Sequence, residues 1–321
     1  MSIDYTVFYK SSLDPSSAWA ADHAWDLFVS AFNANERVRR VFDAAQAGKK
    51  VWIVHSEYGF SSEERPASPA SGAVYVAAEG MREDDCIQAC LSECPELGTG
   101  TLCIDISGFM RPHLMFLLRV LAARGIRTFD ALYSEPGQYL RREFTEFAQG
   151  TVTDVRPVAG FEGLHQPSMA ADEDLLIIGA GYEHHLMRHV ANAKTNTRKL
   201  QLLGFPPLQA DFYQENVLNA HRAAEAVSAT NENHPLFAPA NDPFVTASVL
   251  QDTIAEQRRR GTKNIYLCPL SSRPQALGFA LYHLYEAKDE PVSVIYPFAT
   301  RYARETTAGI SRIWKYRIEL P

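Results

Sequence analysis

Three stretches place hydroxyls, charges or side-chain-free backbone just past an apolar run. After TLCIDI (101–106) come Asp105 itself, then Ser107, Arg111 and His113. After DLLIIG (174–179) come Gly179, Ala180, Gly181 and Glu183, and after KNIYLC (263–268) come Ser271, Ser272 and Arg273. If the apolar runs are parallel strands, these residues lie where open α/β sheets bind ligands, past the carboxyl ends of the strands. A helix that starts there offers free N–H groups and the positive end of its dipole to phosphate or carboxylate. An Arg beside hydroxyls adds charge-assisted, bidentate bonds. Arg111 and Arg273 are therefore the expected anion holders, with Asp105, Ser107, Gly179, Gly181, Ser271 and Ser272 as the remaining ligand-binding residues. Two carboxylates are candidates for catalysis: Glu183 beside the glycine turn, able to orient a ribose hydroxyl or act as general base, and Glu135 within YSEPGQY (133–139), on the polar edge of a pocket where Tyr133 and Tyr139 would stack on a base.

Other patterns exclude chemistry. The dinucleotide fingerprint G-x-G-x-x-G fails, because His184 stands where the third glycine belongs and no acidic residue closes LQLLG (200–204). No G-x4-G-K-[ST] phosphate loop and no G-x-S-x-G elbow is present. His185 and His189 share a helical face with Glu183 nearby, but H-E-x-x-H is absent and a third ligand would have to come from His165 or His221, so they read as structural or surface histidines. Cys86, Cys90 and Cys94 recur every fourth residue, the spacing of one buried helix face rather than of a zinc turn. The odd count of five cysteines points to reduced thiols. No metal is expected from these motifs, and they name no cofactor.

The elements that must position these residues alternate. Helix 35–47 precedes strand 50–55, strand 101–106 precedes helix 111–124, and strand 128–133 follows Gly125. The Gly- and Pro-rich stretch 150–172 reads as a joint, after which the rhythm restarts: strand 174–179, helix 182–195, strand 199–203, a helical region near 213–228. Asp242 and Pro243 open a further helix that Gly261 ends; strand 263–268, helix 273–287 and strand 292–297 follow. The tail WKYRIEL alternates apolar and polar residues, as an edge strand does. This predicts an α/β protein of two Rossmann-like halves, 1–155 and 156–321, with mostly parallel sheets and an antiparallel C-terminal edge strand. One device recurs: LCIDI leads through a serine to Arg111-Pro112, and IYLCPL leads through Ser271-Ser272 to Arg273-Pro274.

Composition bounds the partners. The 321 residues are 46% hydrophobic and 21% charged with a net charge of −7, which excludes a disordered chain and disfavours non-specific nucleic-acid binding. The dense run Arg258-Arg259-Arg260 suits a helix C-terminus. No apolar run approaches the roughly 18 residues of a membrane helix, and the first residues carry no signal pattern, so a cytoplasmic, membrane-free protein is expected.

Six segments carry a resemblance: WDLFVSAFNANERVRRVF (25–42), KVWIVHSEYGF (50–60), CIDISGFMRPHLMFLL (103–118), LYSEPGQY (132–139), DLLIIGAGYEHHLMRHV (174–190) and LCPLSSRPQALGFALY (267–282). They resemble a bacterial family with two Rossmann-like halves, found in phage-defence gene clusters and without an assigned reaction. The last segment is also loosely similar to CARF- and SAVED-type sensors, which bind cyclic oligonucleotides; those often carry a Thr/Gly-rich turn with Lys where this chain has Ser-Ser-Arg. The resemblance implies a binding component of an antiviral defence system, recognising a nucleotide-like or phosphorylated ligand in a cleft between the halves, or a protein partner from the same gene cluster. A homo-oligomer is compatible with this. Residues 25–42 are faintly similar to TIR-type enzymes, which cleave N-glycosidic bonds with a Glu; Glu57, Glu135 and Glu183 would be the candidates for a nucleotide or nucleoside hydrolase. An inert interaction subunit is the third expectation.

Overall fold

The computed structural model describes residues 3–139, 148–168, 173–181, 183–208 and 235–321. The expected helix near 213–228, and His221 with it, lies outside the described residues. The first elements are β1 (Lys10–Leu13), β2 (Ala24–Ala31), α1 (Glu36–Ala44), β3 (Gln46–Val54), β4 (Gly72–Val76) and α2 (Glu83–Ser92). Next come β5 (Leu102–Asp105), α3 (Arg111–Ala123), β6 (Thr128–Tyr139), β7 (Val152–Pro157), β8 (Asp174–Gly179), α4 (His184–Ala193) and β9 (Arg198–Gly204). The chain continues through β10 (Leu236–Ala238), α5 (Pro243–Arg259), β11 (Asn264–Pro269), α6 (Arg273–Tyr282), β12 (Val292–Ala299) and β13 (Thr307–Glu319).

Two units divide the chain: an N-terminal unit of Phe8–Gln149 with Arg301–Pro321, and a C-terminal unit of Met1–Val7 with Gly150–Thr300. The joint falls close to the expected stretch, yet a single cut at residue 155 does not describe the division. The chain crosses back after Thr300, because β13 pairs with β6 of the N-terminal sheet although β12, the strand before it, belongs to the C-terminal sheet.

The N-terminal sheet has the order β1-β13-β6-β5-β2-β3-β4. Strands β2 to β6 run parallel, while β13 is antiparallel to β6 and to β1. The tail is thus antiparallel as expected, with the four-residue β1 covering its outer side from Ile313 to Tyr316. The C-terminal sheet has the order β10-β9-β8-β11-β12-β7, parallel except for β7 against β12. In both units the chain steps from its first parallel strand outwards over two more, then returns beside the first. The Rossmann-like switch points therefore lie between β2 and β5 and between β8 and β11.

Local sequence accounts for the pieces. Strands β8 and β11 are buried along their whole length, which is why DLLIIG and NIYLCP are continuous apolar runs rather than alternating ones. Helix α5 is capped by Asp242, whose carboxylate accepts from the N–H groups of Phe244 and Val245, and Gly261 follows it at φ +92°. Helix α1 is shorter than the run 35–47 suggests. Residues from Gln46 onward join β3 because they pair with β2 from Ala24, and this ladder overrides the helix propensity of the alanines. No helix among the described residues is long and apolar enough to cross a membrane.

Candidate functional site

At the switch point of the C-terminal unit, β8 ends on Gly179 opposite Pro269 of β11, and the Leu270 N–H donates to the Gly179 carbonyl at 3.1 Å. A Cβ on Gly181 would lie 2.5 Å from the Leu270 carbonyl oxygen, and one on Gly179 would lie 2.8 Å from Ser271 Oγ. The two turns touch only because neither position carries a side chain. The structure thereby brings Gly179, Gly181, Ser271, Ser272 and Arg273 to one edge, with Glu183 at the entry to α4 two residues past Gly181. Ser272 is the N-cap of α6: its hydroxyl accepts from the Gln275 N–H at 3.3 Å and donates to the Ala240 carbonyl. Glu183 and Ser271 are buried, and Arg273, the first residue of α6, is half-buried.

The equivalent edge of the N-terminal unit is filled by polar side chains bonded to one another. Asp105, fully buried, accepts from Ser30 Oγ at 3.0 Å and from the Ser107 N–H at 3.0 Å. Ser107 Oγ in turn accepts from the Ser134 N–H at 2.8 Å. Arg37, only 3% exposed, donates to the Ser134 carbonyl and hydroxyl and, through Nε, to Thr307 Oγ1 at 3.1 Å. Burial raises the Asp105 carboxyl above its ordinary range, while its bonds to Ser107 and Ser30 and the charge of Arg37 pull the other way. Gly108 seals this edge, since a Cβ there would lie 1.8 Å from the Ala31 carbonyl oxygen. Asp105 and Ser107 thus hold β2, β5 and β6 together. Arg111, the first residue of α3, is buried at 6% exposure.

Glu135 belongs to β6, and both its oxygens are taken within the sheet. Oε2 accepts from Trp314 Nε1 at 2.7 Å and Oε1 from Ser311 Oγ at 3.0 Å. It ties β6 to β13 in the N-terminal unit, whereas Glu183 belongs to the C-terminal unit, so the two candidate carboxylates do not share one sheet edge. His185 and His189 stack edge to face, 5.2 Å apart, on the side of α4 away from its buried Leu186, Met187 and Val190.

A further cluster had no sequence spacing to announce it. His55 follows β3, Cys86 lies in the first turn of α2, and His113 is the third residue of α3. One ligand-type atom from each lies within 4.8 Å of the others, and all three side chains are buried. The two imidazole rings are 4.3 Å apart. Glu57 Oε1 reaches within 3.9 Å of His113 Nε2. Burial, with His113 alongside, holds the His55 imidazole well below its ordinary titration range, and burial pushes the Cys86 thiol up to about 12. Cys86, Cys90 and Cys94 are all buried, as a cysteine-lined face requires, but Cys86 alone of the three meets the histidines. The residues come from three separate strand-to-helix connections. His55 directly follows β3, whereas Cys86 and His113 sit in the first turns of the helices that come after β4 and β5.

No protein-family model matches the chain, and no curated protein matches its sequence.

Proposed function

We propose that this protein binds an anionic, phosphorylated or nucleotide-like ligand at the β8–β11 switch point of its C-terminal unit. The observation that carries the reading is the coincidence of topology and chemistry. The gap between first and fourth parallel strands is where such sheets bind ligands, and there the sequence supplies two glycines, a Ser-Ser-Arg helix start and Glu183. Arg273 would hold anionic oxygens, with the N–H groups of the first turn of α6 beside it, and Glu183 would hold a ribose hydroxyl or an amine. Ser272 serves chiefly as the helix cap, so Ser271 is the hydroxyl assigned to the ligand. The defence setting, and recognition of a nucleotide in particular, rest on the family resemblance. Hydrolysis by Glu135 is disfavoured, because both its oxygens are engaged by Trp314 and Ser311.

The test is thermal stabilisation together with native mass spectrometry, using ATP, a cyclic oligoadenylate and inorganic phosphate as probes. A ligand at about 100 times its Kd stabilises by about 2.7 kcal/mol. Arg273→Ala is expected to weaken binding by about 10- to 150-fold, the equivalent of a hydrogen bond to a charged group at about 1.5–3 kcal/mol. Binding by none of the three probes, or binding that Arg273→Ala leaves unchanged, overturns the reading.

A further inference from the structure

His55, Cys86 and His113 bring three metal-type donors together among the described residues, with Glu57 beside His113, and they lie in the N-terminal unit, independent of the anion reading. We propose that His55, Cys86 and His113 bind a zinc-class divalent ion, with Glu57 completing its shell directly or through a water.

Donor identity comes first. A nitrogen–nitrogen–sulfur set suits a borderline-soft ion such as Zn²⁺, whereas Mg²⁺ and Ca²⁺ require oxygen. Bond lengths of about 2.0–2.1 Å to nitrogen and about 2.3 Å to sulfur set tetrahedral donors about 3.3–3.6 Å apart. The three atoms here already lie within 4.8 Å of one another, so closing on an ion needs shifts of about 1 Å, within side-chain reach.

The second observation is independent of that spacing. His55 is fully buried, and neither Nδ1 nor Nε2 has a hydrogen-bond partner among the described residues. An imidazole always carries at least one N–H donor, and buried donors and acceptors are rarely left unmade. A residue kept in the core without its bonds is one whose lone pair has another use.

Charge balance is the third. A dication in the protein interior is tolerated only when neutralised. Two neutral imidazoles contribute nothing, so the Cys86 thiolate and the Glu57 carboxylate together supply the two negative charges. Glu57 is 19% exposed, the least buried of the four, and marks the side from which an ion and water would enter. Binding deprotonates the thiol: the S–H proton leaves to solvent as the S–metal bond forms.

The experiment uses the full chain, stripped with chelator and titrated with Zn²⁺ and with Co²⁺. One equivalent per chain is expected. The Co²⁺ form should show thiolate-to-metal charge transfer and the intense visible bands of tetrahedral coordination, and Zn²⁺ binding should release about one proton from the thiol at neutral pH. Cys86→Ser should lose the charge-transfer band and at least 10-fold in affinity, whereas Cys90→Ser and the double variant His185→Ala/His189→Ala should keep both. The proton count needs no variant, so it decides the matter even if Cys86→Ser does not fold. Less than one-tenth of an equivalent bound, a Co²⁺ spectrum without the thiolate band, or retention lost in the His185/His189 variant would each overturn the proposal.

Discussion

Replacing Arg37 with Met removes a cation that the N-terminal unit has buried at 3% exposure. The guanidinium serves the Ser134 carbonyl and hydroxyl and Thr307 Oγ1, and its carbon lies 5.7 Å from the Tyr133 ring centre. Methionine fills much of the volume of the aliphatic stem, so the loss is chiefly polar. Acceptors left unmade in the interior cost about 1–3 kcal/mol each, and removing one partner of a buried charged network costs about 3–5 kcal/mol in all. Asp105 adds to this, because it loses the cation that pulls its carboxyl down. The expectation is a loss of about 3–5 kcal/mol confined to the N-terminal unit. The assay is built into the chain: Trp19, Trp25, Trp52 and Trp314 are its four tryptophans and all belong to that unit, so tryptophan fluorescence in urea reports this unit alone. With a slope of about 2–3 kcal/mol per molar urea, the midpoint should fall by about 1–2.5 M. Arg37→Lys should recover only part of this, since an ammonium cannot reproduce the planar fork. A fall of less than about 0.3 M for Arg37→Met would show that these bonds contribute little net stability and refute the account of this edge.

Gly181→Ala should destabilise the C-terminal unit by about 1–3 kcal/mol, the usual range for forcing atoms into a filled space, and weaken binding of whichever ligand the switch point takes. Hydrogen exchange of the peptides covering β8 and β11 should speed up, whereas Arg273→Ala weakens binding without that change; unaltered exchange in Gly181→Ala would contradict the close approach of the two turns. For Asp105 the folded carboxyl titrates above its unfolded 3.8, so the protonated form favours folding, and that contribution is complete below pH 3.8 and lost as pH rises through the folded value. Asp105→Asn should therefore gain on the natural chain, by urea midpoint, as pH climbs from about 4 to 7, and a gap that shrinks over that range would reverse the sign argued here.

Much of this architecture was legible because it is local. Continuous apolar runs such as LLII mark strands covered on both faces, and Arg-Pro after a serine marks a helix start. The repeated device proves to open the helix after the fourth parallel strand in both units, at α3 and at α6. The limits were equally physical. A strand carries no record of which neighbour it pairs with, so β13 could not be assigned to β6 from its own residues. Glu135 looked like a carboxylate free for chemistry because the Trp314 that engages it is remote in sequence. The trio of His55, Cys86 and His113 escaped for the same reason, as parallel topology rather than spacing gathers the end of β3 and the first turns of α2 and α3.

Because β13 is supplied by residues 301–321, the order of synthesis and the order of completion run in opposite senses. Every segment of the C-terminal unit has been translated by the time Thr300 is added, while the N-terminal unit, begun at Phe8, still waits for a strand that pairs with β6 from Thr128 to Tyr139. Until that strand arrives, β6 presents a long open edge with its N–H and C=O groups unpaired, a template for other chains. A released chain clipped near Thr300 should therefore combine a finished C-terminal unit with a sticky, unfinished one, and its survival would depend on holdase chaperones that shield that edge.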